Sequence, residues 1–130
     1  MARGRKTAHT ARVLPSIDDF ERILFFTGAG ISKESGVPTF RGPGGIWKSY
    51  DYPSVACQTA FDDDPEHVWE FHNYRRSIVA AAAPNRAHAV IAALAGQKRV
   101  HVITQNIDGL HQQAGSEDVV ELHGSLWRIR

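Results

Sequence analysis

The run Arg22-Ile23-Leu24-Phe25-Phe26-Thr27 stops abruptly on Gly28-Ala29-Gly30. A continuous apolar stretch this short, bounded by glycines and rich in aromatic and β-branched residues, is the pattern of a strand buried on both faces of a parallel sheet. A sheet of that kind needs helices packed over it, and the rest of the chain alternates strand and helix signals. Val100-His101-Val102-Ile103-Thr104 reads as a second strand, and Val119-Val120-Glu121-Leu122 as a third. A short helix near Gly109–Ala114 lies between them. Strands alternating with helices predict an α/β fold with a parallel sheet.

The helix signals are local. Ser16 is an N-cap candidate for a short helix from about 17 to 21, with Ile17 and Phe20 apolar and acids near its third position. Asp64-Pro65 starts a helix that can run to Ala83 before Pro84, with Val68, Phe71/His72, Arg75, Ile78/Val79 and Ala82 on one stripe. Asn85 starts another, whose expected apolar face is Val90, Ile91 and Leu94 and whose stop is Gly96. Between Pro38 and Pro53, glycines and the aromatics Phe40, Trp47 and Tyr50 predict an ordered loop with aromatic anchors.

Composition narrows the function. No apolar run approaches the roughly twenty residues needed to cross a bilayer. The single cysteine, Cys57, excludes an internal disulfide and a complete cysteine metal site. Residues 1–12 carry Arg3, Arg5, Lys6 and Arg12 without an acid, so the net charge of +1 conceals a body of net charge −3. The leader reads either as an organellar transit segment or as a solvated tail. An acidic body argues against nucleic-acid binding, which calls for a basic patch on the folded domain.

Three segments that follow strands could carry chemistry. Thr27-Gly28-Ala29-Gly30-Ile31-Ser32 could bring backbone N–H groups to a pyrophosphate, or could be only a glycine turn, since its spacing is not G-x-G-x-x-G. Thr104-Gln105-Asn106-Ile107-Asp108 could hydrogen-bond ribose hydroxyls and a carboxamide, or could form an Asx-turn closing the strand. His123-Gly124 offers a general base with room beside it, although a lone histidine is more often structural. His67, His72, His88 and His101 match no metal-binding spacing. Asp62-Asp63-Asp64 is accounted for by the favourable dipole of a helix N-terminus.

The three segments together resemble a sirtuin. The resemblance rests on Gly28-Ala29-Gly30-Ile31-Ser32-Lys33-Glu34-Ser35-Gly36-Val37-Pro38-Thr39-Phe40-Arg41, on Thr104-Gln105-Asn106-Ile107-Asp108-Gly109-Leu110-His111 and on Leu122-His123-Gly124-Ser125, and it extends over about 17 to 130. It implies an NAD-dependent protein-lysine deacylase, acting on an acyl-lysine protein inside the cell, in a mitochondrial or a cytoplasmic and nuclear setting. It also implies a Rossmann-like parallel sheet, the first half of the sirtuin large domain, preceded by a basic tail over 1–16. The family's zinc-binding small domain is absent from this chain, with no metal ligands here. Nothing in the sequence sets the oligomeric state.

By the same resemblance, Gly28, Ala29, Gly30, Ile31, Phe40 and Arg41 would line the NAD phosphates and ribose. Gln105, Asn106, Ile107 and Asp108 would hold the nicotinamide side, with Asn106 and His123 catalytic. Nicotinamide would leave as the acyl-lysine carbonyl oxygen attacks the ribose, and His123 would then deprotonate a ribose hydroxyl that carries the acyl group away. The segments from Gly42 to Trp47 and from Val68 to Arg76 are similar to the branch that removes succinyl, malonyl and glutaryl groups. That branch reads the acyl carboxylate with a Tyr and an Arg three residues apart; here Arg75 is present, His72 stands at the tyrosine position, and Ala56 leaves room for a longer acyl chain. Arg75 could instead face solvent in a plain deacetylase. A non-catalytic NAD- or ADP-ribose-binding module is the alternative from a different class. Because the sequence stops at Arg130 before any cysteine of a zinc module, the resemblance makes it about half of a larger enzyme, expected to be poorly stable and inactive alone.

Overall fold

The computed structural model describes residues 14–128. The basic leader over residues 1–12 lies outside them, as does the side chain of Trp47. Three parallel strands form one sheet in the order β1 (Arg22–Thr27), β2 (Arg99–Thr104) and β3 (Val119–Glu121). Their register puts Thr27, Thr104 and Glu121 side by side. The ladder continues one step beyond, with Gln105 N–H donating to Thr27 O at 3.0 Å and Leu122 N–H to Thr104 O at 2.9 Å. All three candidate segments therefore leave the same edge of the sheet.

The crossover from β1 to β2 carries α1 (Tyr52–Val55), α2 (Gln58–Asp63), α3 (Pro65–Ala80) and α4 (Arg86–Leu94), and α5 (Leu110–Gln113) lies between β2 and β3. Asp64 caps α3 by accepting from His67 N–H at 3.0 Å. The expected stripe is the buried one, through Val68, Phe71, Arg75 and Val79. Phe71 joins Ile46 and Val55 in one core cluster, and Val79 joins Val37, Leu110 and Leu126 in another. Helix α3 thus links the aromatic loop to α5 and to the segments that follow β1 and β3.

Several expectations need correction. Strand β1 is not buried on both faces: Leu24 and Phe26 are 58% and 61% exposed, because no element among the described residues covers that side. Among the described residues it pairs only with β2, which leaves its other edge open. The first helix is a single 3₁₀ turn, Ile17–Asp19, although its capping box on Ser16 is present. Helix α3 stops at Ala80 rather than Ala83. The buried face of α4 is His88 and Ile91, and Val90 is 57% exposed, because the helix turns its histidine to the interior. Asp62 and Asp63 end α2 instead of starting α3. No described helix is long and apolar enough to cross a membrane.

Candidate functional site

The three strand ends open onto a cleft of about 850 Å³. From the β1 side Gly28, Ala29 and Gly30 line it, with Phe40 and Arg41 from the loop that follows. The loop is tightly wound: Ile31 N–H donates to Gly28 O and Ser32 N–H to Ala29 O, at 3.1 and 3.3 Å. A Cβ on Gly30 would meet nothing within 4 Å, so protein packing does not demand that glycine. The space it leaves open is room for a ligand to approach the backbone. Gly45 differs, since a Cβ there would sit 2.8 Å from Phe40 O. It closes the turn that presents Phe40 and Arg41.

From the β2 side Gln105, Asn106 and Ile107 reach the cleft, and from beyond β3 His123 does. His123 Nδ1 lies 3.0 Å from Gln105 O. A carbonyl only accepts, so Nδ1 carries the proton and Nε2 is left with a lone pair, the tautomer a general base needs. Ala56, His72 and Arg75 complete the opposite wall. Ile31 and Asp108 are not on the wall. Asp108 lies beneath it, 7% exposed, and holds the loop from below.

That support is a buried polar network. Ser32, fully buried, donates to Asp108 Oδ2 at 2.7 Å, and Asp108 Oδ1 accepts from Leu110 N–H at 3.0 Å. Asn106 Nδ2 donates to Gly28 O and to Ser32 Oγ, both at 3.1 Å. The carboxylate therefore links the loop after β1 to the start of α5. Gly109, at φ 78°, makes the turn that allows this, and Trp127 Nε1 donates to Asp108 O at 2.9 Å.

Sequence reasoning missed several supporting residues. Asn85 was legible as a helix cap, which it is, but its amide also donates to Ile31 O at 2.6 Å and to Ser35 Oγ at 3.0 Å. His111 Nε2 sits 2.9 Å from Thr27 Oγ1, and its ring packs edge-on against His88 at 4.9 Å between centroids. Burial pushes both histidines below their ordinary value, and for His111 the neighbouring His88 adds to the effect; Asp108 opposes it at each. Only a side chain's second partner, set by tertiary packing, distinguishes these residues from ordinary caps and core histidines.

Arg75 does not face solvent. It is 7% exposed, with its guanidinium over the Phe40 ring at 4.7 Å and near Phe71 at 5.9 Å. Burial lowers its pKa, and Asp108 partly restores it. No carboxylate among the described residues forms an ion pair with it. Arg41 and Arg75 line the cleft and, among the described residues, no Asp or Glu does, so the site presents positive charge to whatever enters.

Residues 28–130 match the Sir2 family. The chain belongs to the Sir2 family. It is 53% identical over 108 residues to NAD-dependent protein deacylase 1 of Caldanaerobacter subterraneus subsp. tengcongensis, covering 82% of this chain and 45% of that protein. It is 51% identical over 115 residues to the mitochondrial NAD-dependent protein deacylase sirtuin-5 of Danio rerio, covering 85% of this chain and 38% of that protein. A solved Sir2 homologue in complex with ADP-ribose superposes with a TM-score of 0.74 at 45% identity, over 80% of this chain and 42% of that one. The chain thus spans less than half the length of these relatives. The Rossmann-like sheet is the Sir2 fold. Among the described residues no cluster of His, Cys, Asp or Glu could hold a metal.

Proposed function

We propose that this chain, over residues 17–130, forms the NAD-binding part of a Sir2-family protein-lysine deacylase, with residues 1–16 outside that unit. The observation that carries the reading is the positively lined cleft at the ends of three parallel strands, with His123 Nε2 free to accept a proton beside Gln105 and Asn106. NAD fits the residues present, since the open space at Gly30 and the cation Arg41 suit a pyrophosphate. When bound, it would supply the ADP-ribose that accepts the acyl group and the nicotinamide that leaves.

The chain's residues divide the remaining work. Gly28, Ala29 and Gly30, backed by Ile31, with Phe40 and Arg41, hold the phosphates and adjoining ribose. Gln105, Asn106 and Ile107 face the nicotinamide end, and Asp108 positions them through Ser32. Asn106 orients the reacting ribose, and His123 Nε2 takes the proton of its hydroxyl while Nδ1–H stays anchored on Gln105 O. Ala56, His72 and Arg75 take the acyl end of an acyl-lysine protein. A buried guanidinium without a carboxylate partner favours an acyl chain that ends in a carboxylate, which would relieve the cost of the unpaired charge. The bacterial and mitochondrial relatives support action inside the cell.

The test is nicotinamide release from NAD with acetyl- and succinyl-lysine peptides, in the protein that carries this chain. Nicotinamide release precedes the step assigned to His123, so His123→Ala should lower formation of the deacylated peptide by about 100-fold or more and leave calorimetric NAD affinity within about twofold. NAD binding without release, unchanged in His123→Ala, would instead establish a non-catalytic NAD-binding module.

A further inference from the structure

His72 is tied back to its own helix, with Nδ1 2.8 Å from the carbonyl oxygen of Val68. The carbonyl can only accept, so Nδ1 must donate, and Nε2 becomes the only polar atom of the ring left for a ligand. His72 lines the cleft, and its Nε2 carries a lone pair when uncharged and a charged N–H when protonated. Arg75 is three residues on, on the same face of α3, and lines the same wall. The other charged or titratable groups sharing the cleft are Arg41 from the loop after β1, Tyr52 and Cys57 from α1 and the turn beyond it, and His123 past β3. None is a carboxylate.

These facts bear on what the two states of His72 can bind. A lone pair aimed at an acyl carboxylate repels it and works against Arg75. An imidazolium there adds a second charge-assisted hydrogen bond to the same group. With no acid among the described residues of the cleft wall, the ligand itself is the counter-ion that would hold the proton on Nε2.

We propose that His72 makes the acyl preference of this site depend on protonation: acyl groups ending in a carboxylate are favoured when Nε2 is protonated, and neutral acyl groups are indifferent to it. This rests on the assignment of Arg75 to an acyl carboxylate. A succinyl carboxylate stays ionised from about pH 8.5 to about pH 6, and so does Arg75, whereas an imidazole can change charge within that window. The preference should therefore rise as the pH falls.

The experiment measures kcat/KM for succinyl- and acetyl-lysine peptides across that pH range, in the protein that carries this chain, and follows their ratio. The ratio cancels any loss of folded or catalytically protonated enzyme common to both substrates. The expected result is a rise of about tenfold in the succinyl-to-acetyl ratio on acidification. In H72Y, whose hydroxyl donates throughout the range, and in H72F, which cannot donate, the ratio should be flat. Calorimetry of succinyl-peptide binding in buffers of different ionisation enthalpy should show proton uptake in the wild type and none in either variant. A wild-type ratio that favours succinyl, collapses in R75M and does not vary with pH would overturn the role of His72 and keep that of Arg75. A ratio that never favours succinyl and ignores R75M would overturn the acyl-carboxylate reading beneath it.

Discussion

Acid should loosen the fold at the His88–His111 pair. Both rings are essentially without solvent exposure, at 0% and 1%, and burial holds both below the ordinary value of 6.5. For His88 the geometry supplies a further reason. Its Nδ1 accepts the Asn85 N–H at 3.3 Å in a capping box, so protonating Nδ1 would set two donors against each other at the N-terminus of α4. The helix dipole also disfavours positive charge there. Above pH 6.5 both folded and unfolded chains carry neutral rings, and stability is unaffected. As the pH falls below 6.5 the unfolded chain binds protons that the folded chain refuses, and stability drops until the lowered folded values are reached. At about pH 5.5 the loss is at most about 1.4 kcal/mol per ring, or about 2.8 kcal/mol for the pair, if the folded state binds no proton. For a chain of this size that upper bound corresponds to a fall in Tm of about 10 °C.

The assay is thermal unfolding followed by circular dichroism between about pH 7.5 and pH 5.5. In His88→Gln, glutamine can still accept the Asn85 N–H from the third helical position but does not titrate, so the acid loss should shrink by about half. The readout is the slope against pH, which does not depend on any loss of packing at neutral pH. Identical slopes in the wild type and His88→Gln would refute the reasoning, because the acid sensitivity would then lie elsewhere.

Other outcomes follow from the same geometry. Ser32→Ala leaves Asp108 Oδ2 without its buried donor and Asn106 without one acceptor, which should cost about 2–3 kcal/mol; urea unfolding checks it. A loss below about 0.5 kcal/mol would remove the network from the account of loop support. Gly45→Ala forces a methyl group against the Phe40–Arg41 backbone, and should cost about 1–3 kcal/mol and weaken NAD binding measured by calorimetry. Unaltered affinity would separate that turn from the cofactor site. The open sheet face with Leu24 and Phe26 should bind a hydrophobic dye and drive self-association of the 130-residue chain, and Leu24→Lys with Phe26→Lys should reduce both in dye-binding and light-scattering measurements.

The sequence by itself determined what depends on neighbours along the chain. The three strands, the Asp64-Pro65 and Asn85 helix starts, and the buried stripe of α3 were legible because capping and periodicity are local physics. The three polar segments were legible as candidates for the same reason, since each follows a strand. Register and packing decided the rest. Parallel pairing of Thr27 with Thr104 and of Thr104 with Glu121 brings those segments to one edge, a relation between residues about 20 to 80 positions apart in sequence that no window along the chain contains. Packing turned His88 inward in place of Val90, buried Arg75 under Phe40, and moved Asp108 from the cleft wall to its support. The exposure of Leu24 and Phe26 has the same origin. An apolar run states what a strand can bury, and only the elements packed against it decide which face is covered.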